Sequence, residues 1–285
     1  MVQAQIMKNL PAIKKLSYQQ RINILKSIYY GGGGHVGGAY SIIDFLTYIY
    51  SSELNFDLNN LDDPDRDRLI LSKGHACLAL YWTLVEFGFF PKKILLDYGK
   101  DGSLLAGHPE ADKVPGVEIS SGSLGHGPAF GLGMAYAAKL KNQKFQTYVI
   151  VGDGESNEGA VWETVLSASQ LKLDNFVMVI DNNKLESLDS TDNILKVEPL
   201  TDKFEAFGFD VKSIDGHNFE EISELFNNFL KNENGRPKCI VLNTIKGSGI
   251  SYMENDTKWH SRAPSDKEFH DGLIELEGKI DAICV

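Results

Sequence analysis

Two short apolar runs, Tyr148–Val151 and Phe176–Ile180, each end in residues able to hold a hard metal ion. Gly152-Asp153-Gly154 follows the first and Asp181-Asn182-Asn183 the second. Carboxylate and amide oxygens are hard donors. They suit Mg²⁺, which takes one or two protein oxygens and completes its octahedron with phosphate oxygens and water. Gly152 and Gly154 let the backbone pass close to a diphosphate with no Cβ in the way. Runs this short and β-branched, with a helical segment between them, predict a βαβ unit with parallel strands. Both strands of such a unit finish on one edge, in the crevice where open α/β sheets bind ligands. A lone Gly-Asp-Gly is ordinarily a turn, and Asn-Asn after a strand is ordinarily a loop start. The signal lies in the pair, thirty positions apart across one unit: a Mg²⁺–diphosphate site built from two strand ends.

The elements around that unit alternate. Helical spacing predicts helices over Leu16–Tyr30 and Ser41–Tyr50, separated by the loop Gly31–Gly34, His35 and Gly37-Gly38. A short strand at Leu69–Leu71 leads through Ser72-Lys73-Gly74-His75 into a helix over Ala76–Phe87. Leu104–Ser123, rich in glycine and proline, reads as a long ordered loop, a kind that is usually functional in a compact domain. Pro128–Leu140 is a small-residue helix. Beyond the central unit come a helix at Thr201–Phe207, a strand at Phe209–Ile214, a helix at Phe219–Lys231 and a strand at Lys238–Thr244. This alternation predicts an α/β fold: a doubly wound, mostly parallel sheet with helices on both faces. Residues 1–285 are expected to form a single diphosphate-binding domain, with 251–285 as a C-terminal extension wrapping it.

Bulk composition narrows the function classes. The chain has 285 residues, 42% of them hydrophobic, enough for a packed core. Its formal charge of −11 argues against nucleic acid or an anionic membrane as partner. No run of eighteen apolar residues and no signal-peptide pattern is present, so a soluble, cytoplasmic protein is expected. Cys77, Cys239 and Cys284 show neither zinc spacing nor a disulfide framework. Cys77 reads as a buried small hydrophobe rather than a nucleophile.

The ordered series of motifs resembles the N-terminal, diphosphate-binding half of transketolase, over nearly the whole chain. The series runs Gly34-His35; Arg68-Leu69-Ile70-Leu71-Ser72-Lys73-Gly74-His75; Gly107-His108-Pro109-Glu110; Ser121-Gly122-Ser123-Leu124-Gly125. It continues with Gly152-Asp153-Gly154 and Glu158, Asp181-Asn182-Asn183, Lys246-Gly247 and Trp259-His260. The resemblance implies thiamine diphosphate and Mg²⁺ as cofactors, with Ca²⁺ or Mn²⁺ as substitutes. It implies Asp153, Asn183 and the backbone carbonyl of Leu185 as metal ligands. Gly154 corresponds to the glycine whose N–H meets the diphosphate, and Glu155–Glu158 is expected to open the helix behind it. Gly122, Ser123 and Leu124 correspond to the aminopyrimidine-contacting segment, and His75 to the histidine on the diphosphate. His35, His108 and His260 resemble the histidines facing the thiazolium carbon and the sugar hydroxyls. Glu158, otherwise a simple helix-start acid, matches a glutamate at the subunit interface linking two cofactor sites. Lys246 could line the diphosphate pocket or be solvated. His126 is expected just behind the site, His217 in a structural turn, and His270 exposed.

The family's activating glutamate lies in a second, pyrimidine-binding domain that this sequence lacks. The chain therefore resembles the N-terminal subunit of a split transketolase. It is expected to be active only with a C-terminal partner that carries that glutamate, as an α₂β₂ heterotetramer acting on sugars or sugar phosphates. The reaction implied moves a two-carbon ketol unit from a ketose to an aldose. Two departures bear on the substrate: Val36 where proline is usual, and Glu186 where glutamine is common. Other thiamine-diphosphate enzymes, a 2-oxoacid dehydrogenase α chain or a xylulose-phosphate synthase, stand as alternatives. The sugar-facing histidines favour transketolase over them. A nicotinamide-dependent dehydrogenase fits less well, because Asn157 replaces the third glycine of its fingerprint and Asp153 would repel a metal-free diphosphate. A non-catalytic binding module would be signalled by loss of Asp153 or the histidines, and both are kept.

Overall fold

The computed structural model describes residues 9–232 and 234–283. Its centre is a five-stranded sheet, all neighbours parallel. The strands are β1 (Arg68–Leu71), β2 (Thr147–Gly152), β3 (Phe176–Asn182), β4 (Asp210–Asp215) and β5 (Lys238–Asn243). Their spatial order is β1-β2-β3-β5-β4, so the chain crosses over β5 to lay down β4 and then returns. Every residue of β3 is buried, as a central strand covered on both faces requires.

The pleat sends alternate side chains to opposite layers. Leu69, Leu71, Ile150, Val179 and Ile240 enter one core, with helices α1 (Leu10–Gly31), α2 (Val36–Ser52) and α3 (Cys77–Glu86). Ile70, Val149, Val151, Met178 and Val241 enter the other. Helices α4 (His126–Leu140), α5 (Gly159–Gln170) and α6 (Leu200–Ala206) cover that face. Each fully buried aliphatic side chain contributes about 1.5–3 kcal/mol, so this two-sided burial holds the strand ends in register.

Boundaries differ from the sequence reading where polar signals set them. Helix α1 starts at Leu10 because the Asn9 side chain caps it, accepting from the Ala12 N–H at 3.2 Å, with proline in the first turn. It ends where Gly32 turns left-handed at φ 76°. Helix α2 begins at Val36, the first helical position, where proline is favoured for its fixed φ. That accounts for the usual proline there and for valine as an acceptable substitute. The helix expected over Phe219–Lys231 is α-helical only as α7 (Phe219–Glu224), then a π turn at Leu225–Phe229.

The C-terminal extension does more than wrap. Helix α8 (Asp266–Asp281) packs on α1 through stacked Tyr29 and Phe269 rings, 4.0 Å apart, and the Tyr29 hydroxyl donates to Asp266 at 2.8 Å. The stretch before it buries Trp259 and brings His260 to the sheet edge. Cys77 and Cys239 are buried and unbridged, with the Cys77 thiol pushed up to about 12 by burial. Cys284 lies outside the described residues. Among the described residues, no helix is long and apolar enough to cross a membrane.

Candidate active site

The carboxyl ends of β2, β3 and β5 open into a cleft of about 340 Å³. Asp153, Gly154, Asn183 and Leu185 line it, with Lys246 and His260 opposite. Asp153 is 3% exposed. Its Oδ1 accepts from the Gly154 N–H at 2.8 Å and its Oδ2 from the Lys184 N–H, which ties the two strand ends together. Asn183 Oδ1 accepts from the Leu185 N–H at 3.1 Å, leaving a lone pair free. The expected metal residues thus share one cleft.

Burial, and then the neighbouring Asp181 carboxylate, push the Asp153 carboxyl up to about 7. No ion pair neutralises Asp153 among the described residues. A cation bound here would remove that penalty, and a carboxylate, an amide oxygen and a carbonyl are donors of the kind Mg²⁺ takes. The residues present therefore fit a hard divalent cation.

Behind the cleft lies a buried polar network without an assigned role in the sequence reading. Lys73 Nζ pairs with Asp181 Oδ2, which also accepts from Ser41 Oγ at 2.6 Å and Asn183 Nδ2 at 3.2 Å. Thr244 Oγ1 donates to Asp181 Oδ1. Burial alone would raise the Asp181 carboxyl; Lys73 and the two hydroxyls outweigh it and hold the carboxyl below its ordinary value. Glu155 is likewise buried. Its carboxylate accepts from Ser72 Oγ, from the Gly125 N–H at 2.8 Å and from the Gly152 N–H at 3.0 Å. One side chain thus fixes the ends of β1 and β2 against the glycine loop. Sequence signals for Lys73 and Asp181 existed, since Lys73 sits inside the motif that ends in His75 and Asp181 opens Asp-Asn-Asn. Periodicity could not separate them from solvated loop residues.

Four histidines meet at the rim. The His35 ring centre lies 5.4 Å from those of His75 and His260 and 6.0 Å from that of His108, while His75 and His260 stand 5.3 Å apart. Burial, then His108, lowers His35; burial, then Lys73, takes His75 well below its ordinary value. Burial, then Lys246, brings His260 down to about 4. These three are neutral imidazoles near pH 7, each able to donate and accept one hydrogen bond. Lys246, lowered to about 8 by burial and then Lys73, donates to the Leu185 carbonyl at 3.0 Å and the Glu186 carbonyl at 2.8 Å. It also meets His260 Nδ1 at 3.0 Å.

The long loop is ordered, as expected. Tyr81 donates to the His108 carbonyl at 3.0 Å and Cys77 to the Gly107 carbonyl at 3.1 Å. Gly122 has φ 149°, and a Cβ there would meet the His108 ring at 3.2 Å, so the loop passes its histidine only as glycine. Leu124 lines the cleft, and Ser123 lines an adjoining hollow with His126.

One expectation is corrected. Gly154–Asn157 forms a separate 3₁₀ turn, and the helix behind it starts at Gly159 with Glu158 as its N-cap. Glu155 breaks the path by turning inward to its three buried donors. Glu158 makes no capping bond and lies at the cleft rim. His217 makes structural bonds away from the cleft, and His270 is exposed.

Comparison with known proteins places this geometry. Residues 14–273 match the family described as transketolase, thiamine diphosphate binding domain. The chain is 36% identical to one of the two-chain-type subunits of apulose-4-phosphate transketolase from Phocaeicola vulgatus, over 94% of each chain. It is 36% identical to a 6-deoxy-6-sulfo-D-fructose transketolase subunit of a Clostridium species, covering 93% of this chain and 98% of that one. Among solved structures, transketolase from Campylobacter jejuni superposes with a TM-score of 0.87 at 27% identity. That match covers 93% of this chain and 42% of that one, so the chain spans about two fifths of the length of this transketolase. The matched residues include both strand ends, the histidine cluster and the glycine loop, and the chain belongs to the transketolase family as its thiamine diphosphate-binding part.

Proposed function

We propose that the chain is the diphosphate-binding subunit of a two-chain transketolase, moving a two-carbon ketol unit from a ketose to an aldose in the cytoplasm. The observation that carries this reading is the meeting of Asp153, Asn183 and the Leu185 carbonyl in one cleft beneath neutral histidines. Asp153, Asn183 and Leu185 would hold Mg²⁺, and Gly154 and Lys246 the diphosphate. Gly122, Ser123 and Leu124 would bound the aminopyrimidine. Thiamine diphosphate, when bound, supplies the carbon nucleophile and the electron sink. His260 takes a hydrogen bond from Lys246 at Nδ1, which leaves the ring proton on Nε2. His35, His108 and His260 would bind sugar hydroxyls and move protons at the substrate oxygens.

Relatives of near-equal length are themselves named as transketolase subunits, which supports a partner polypeptide; we assign that partner the pyrimidine domain and its activating glutamate. The partner face would be α4 and α5, where Phe130, Leu140 and Leu166 are 55%, 67% and 60% exposed. An α₂β₂ assembly follows from the dominance of two-fold symmetry. We read 1–285 as one domain, with 251–285 as an extension that contributes His260.

His35→Ala and His260→Ala should each lower turnover by about 10²-fold at saturating cofactor, with a much smaller change in cofactor affinity. Steady-state kinetics separate the two. Lost affinity with normal turnover at saturation would make these histidines cofactor or folding residues instead.

A further inference from the structure

The segment that carries Lys246 is held from outside the cleft. Immediately before Lys246, the Ile245 N–H donates to His217 Nε2 at 2.9 Å. Two residues after it, the Ser248 carbonyl accepts from Arg21 Nε at 2.9 Å. Both anchors converge on one carboxylate. Arg21 grips Asp44 with two bonds of 2.7 and 2.8 Å, and His217 Nδ1 meets Asp44 Oδ2 at 2.8 Å. Arg21 and Asp44 are both buried. Burial alone would raise the Asp44 carboxyl, but Arg21 outweighs it and holds the carboxyl well below the usual range, so Asp44 is anionic.

The tautomer of His217 follows from its partners. A backbone N–H only donates, so Nε2 is the acceptor and the ring proton sits on Nδ1, given to Asp44. The chain Asp44–His217–Ile245 therefore fixes a backbone amide next to the cleft lysine. Lys246 itself is buried, and its ammonium is fully engaged with the Leu185 and Glu186 carbonyls and with His260. A side chain so placed has little freedom to make up for a shift of its own backbone. Gly247 N–H, bonded to the Gly37 carbonyl at 3.1 Å, and Gly249, against the Arg21 stem, complete the clamp.

We propose that His217, oriented by Asp44, is a positioning residue for Lys246: its Nε2 holds the Ile245 amide and thereby sets where the ammonium stands in the cleft. The inference rests on the reading of Lys246 as a diphosphate contact. It deepens that reading, because His217 touches neither cofactor nor substrate.

Two substitutions divide the imidazole's two bonds. His217→Asn keeps a donor near Nδ1 for Asp44 and removes the acceptor for Ile245. His217→Gln carries an amide oxygen out to the Nε2 position and restores that acceptor. The full-length chain is titrated with inorganic diphosphate at fixed Mg²⁺ by calorimetry, beside Lys246→Ala, with thermal melts of each. His217→Asn should weaken binding about fivefold, the range for one lost hydrogen bond. His217→Gln should stay within about twofold, and Lys246→Ala should lose more than either. Hydrogen exchange on the parent chain gives a second measurement that needs no variant to fold: the Ile245 amide should be protected, and an unprotected amide overturns the proposal. Equal weakening in both His217 variants, or none in either while Lys246→Ala is weak, also overturns it and leaves the cofactor reading standing. Unchanged binding in Lys246→Ala instead sinks the assignment of Lys246.

Discussion

Asp153→Asn should weaken Mg²⁺-dependent binding of thiamine diphosphate to the assembled enzyme by tenfold to a thousandfold, about 1.4–4 kcal/mol. The substitution keeps the shape and one oxygen donor but removes a formal charge facing the cation. The same change should be nearly neutral for folding, because the parent carboxylate is buried without an ion-pair partner among the described residues and is pushed up to about 7. Asparagine keeps an acceptor for the Gly154 or Lys184 N–H. Loss of affinity without loss of stability separates a metal ligand from a structural acid. Titration calorimetry with and without a chelator reads both arms, and the difference between parent and variant should vanish when Mg²⁺ is removed. Unchanged affinity at matched Mg²⁺ would take Asp153 out of the metal shell.

Lys73→Met should have the opposite signature, a loss of fold. Lys73 and Asp181 are both buried and paired with each other. Removing the ammonium leaves Asp181 charged in the interior, with only the hydroxyls of Ser41 and Thr244 and the Asn183 amide to answer it. Breaking one side of such a pair costs about 3–5 kcal/mol. Urea unfolding measures it, and the double variant Lys73→Met, Asp181→Leu should recover much of the loss, since the uncompensated charge is gone. A single variant within about 1 kcal/mol of the parent, on the order of a surface ion pair, would show that this pair does not hold the floor of the cleft.

The contrast between these two acids marks how far the sequence could be read. Asp153 and Asn183 were legible because two constraints coincide on them: a β-branched run ending at each, and a spacing that fits one βαβ crossover. The parallel sheet followed from the same alternation. Strand order was not legible, since nothing local in Phe209–Ile214 says that its strand lies outside the one made after it. The roles of Asp181 and Glu155 were hidden because their partners come from distant segments: Lys73 lies 108 positions from Asp181, and Gly125 lies 30 from Glu155. Glu155 also shows why the helix expected at Glu155–Glu158 begins later. Three buried donors outweigh the local preference of an acid for a helix start. The start of α1 was hidden for the converse reason, a purely local cap at Asn9 with too few apolar residues behind it to set a period.

The central claim is that this chain holds the diphosphate half of a site whose other half is a separate polypeptide. The direct measurement mixes the purified chain with a purified transketolase subunit carrying the pyrimidine domain. Ketol transfer and assembly mass are followed in the presence of thiamine diphosphate and Mg²⁺. Each chain alone should be inactive with every ketose and aldose pair. The mixture should be active, with activity saturating at one partner per chain and a mass matching two of each. Robust ketol transfer by this chain alone, in a preparation free of host transketolase, would contradict the account.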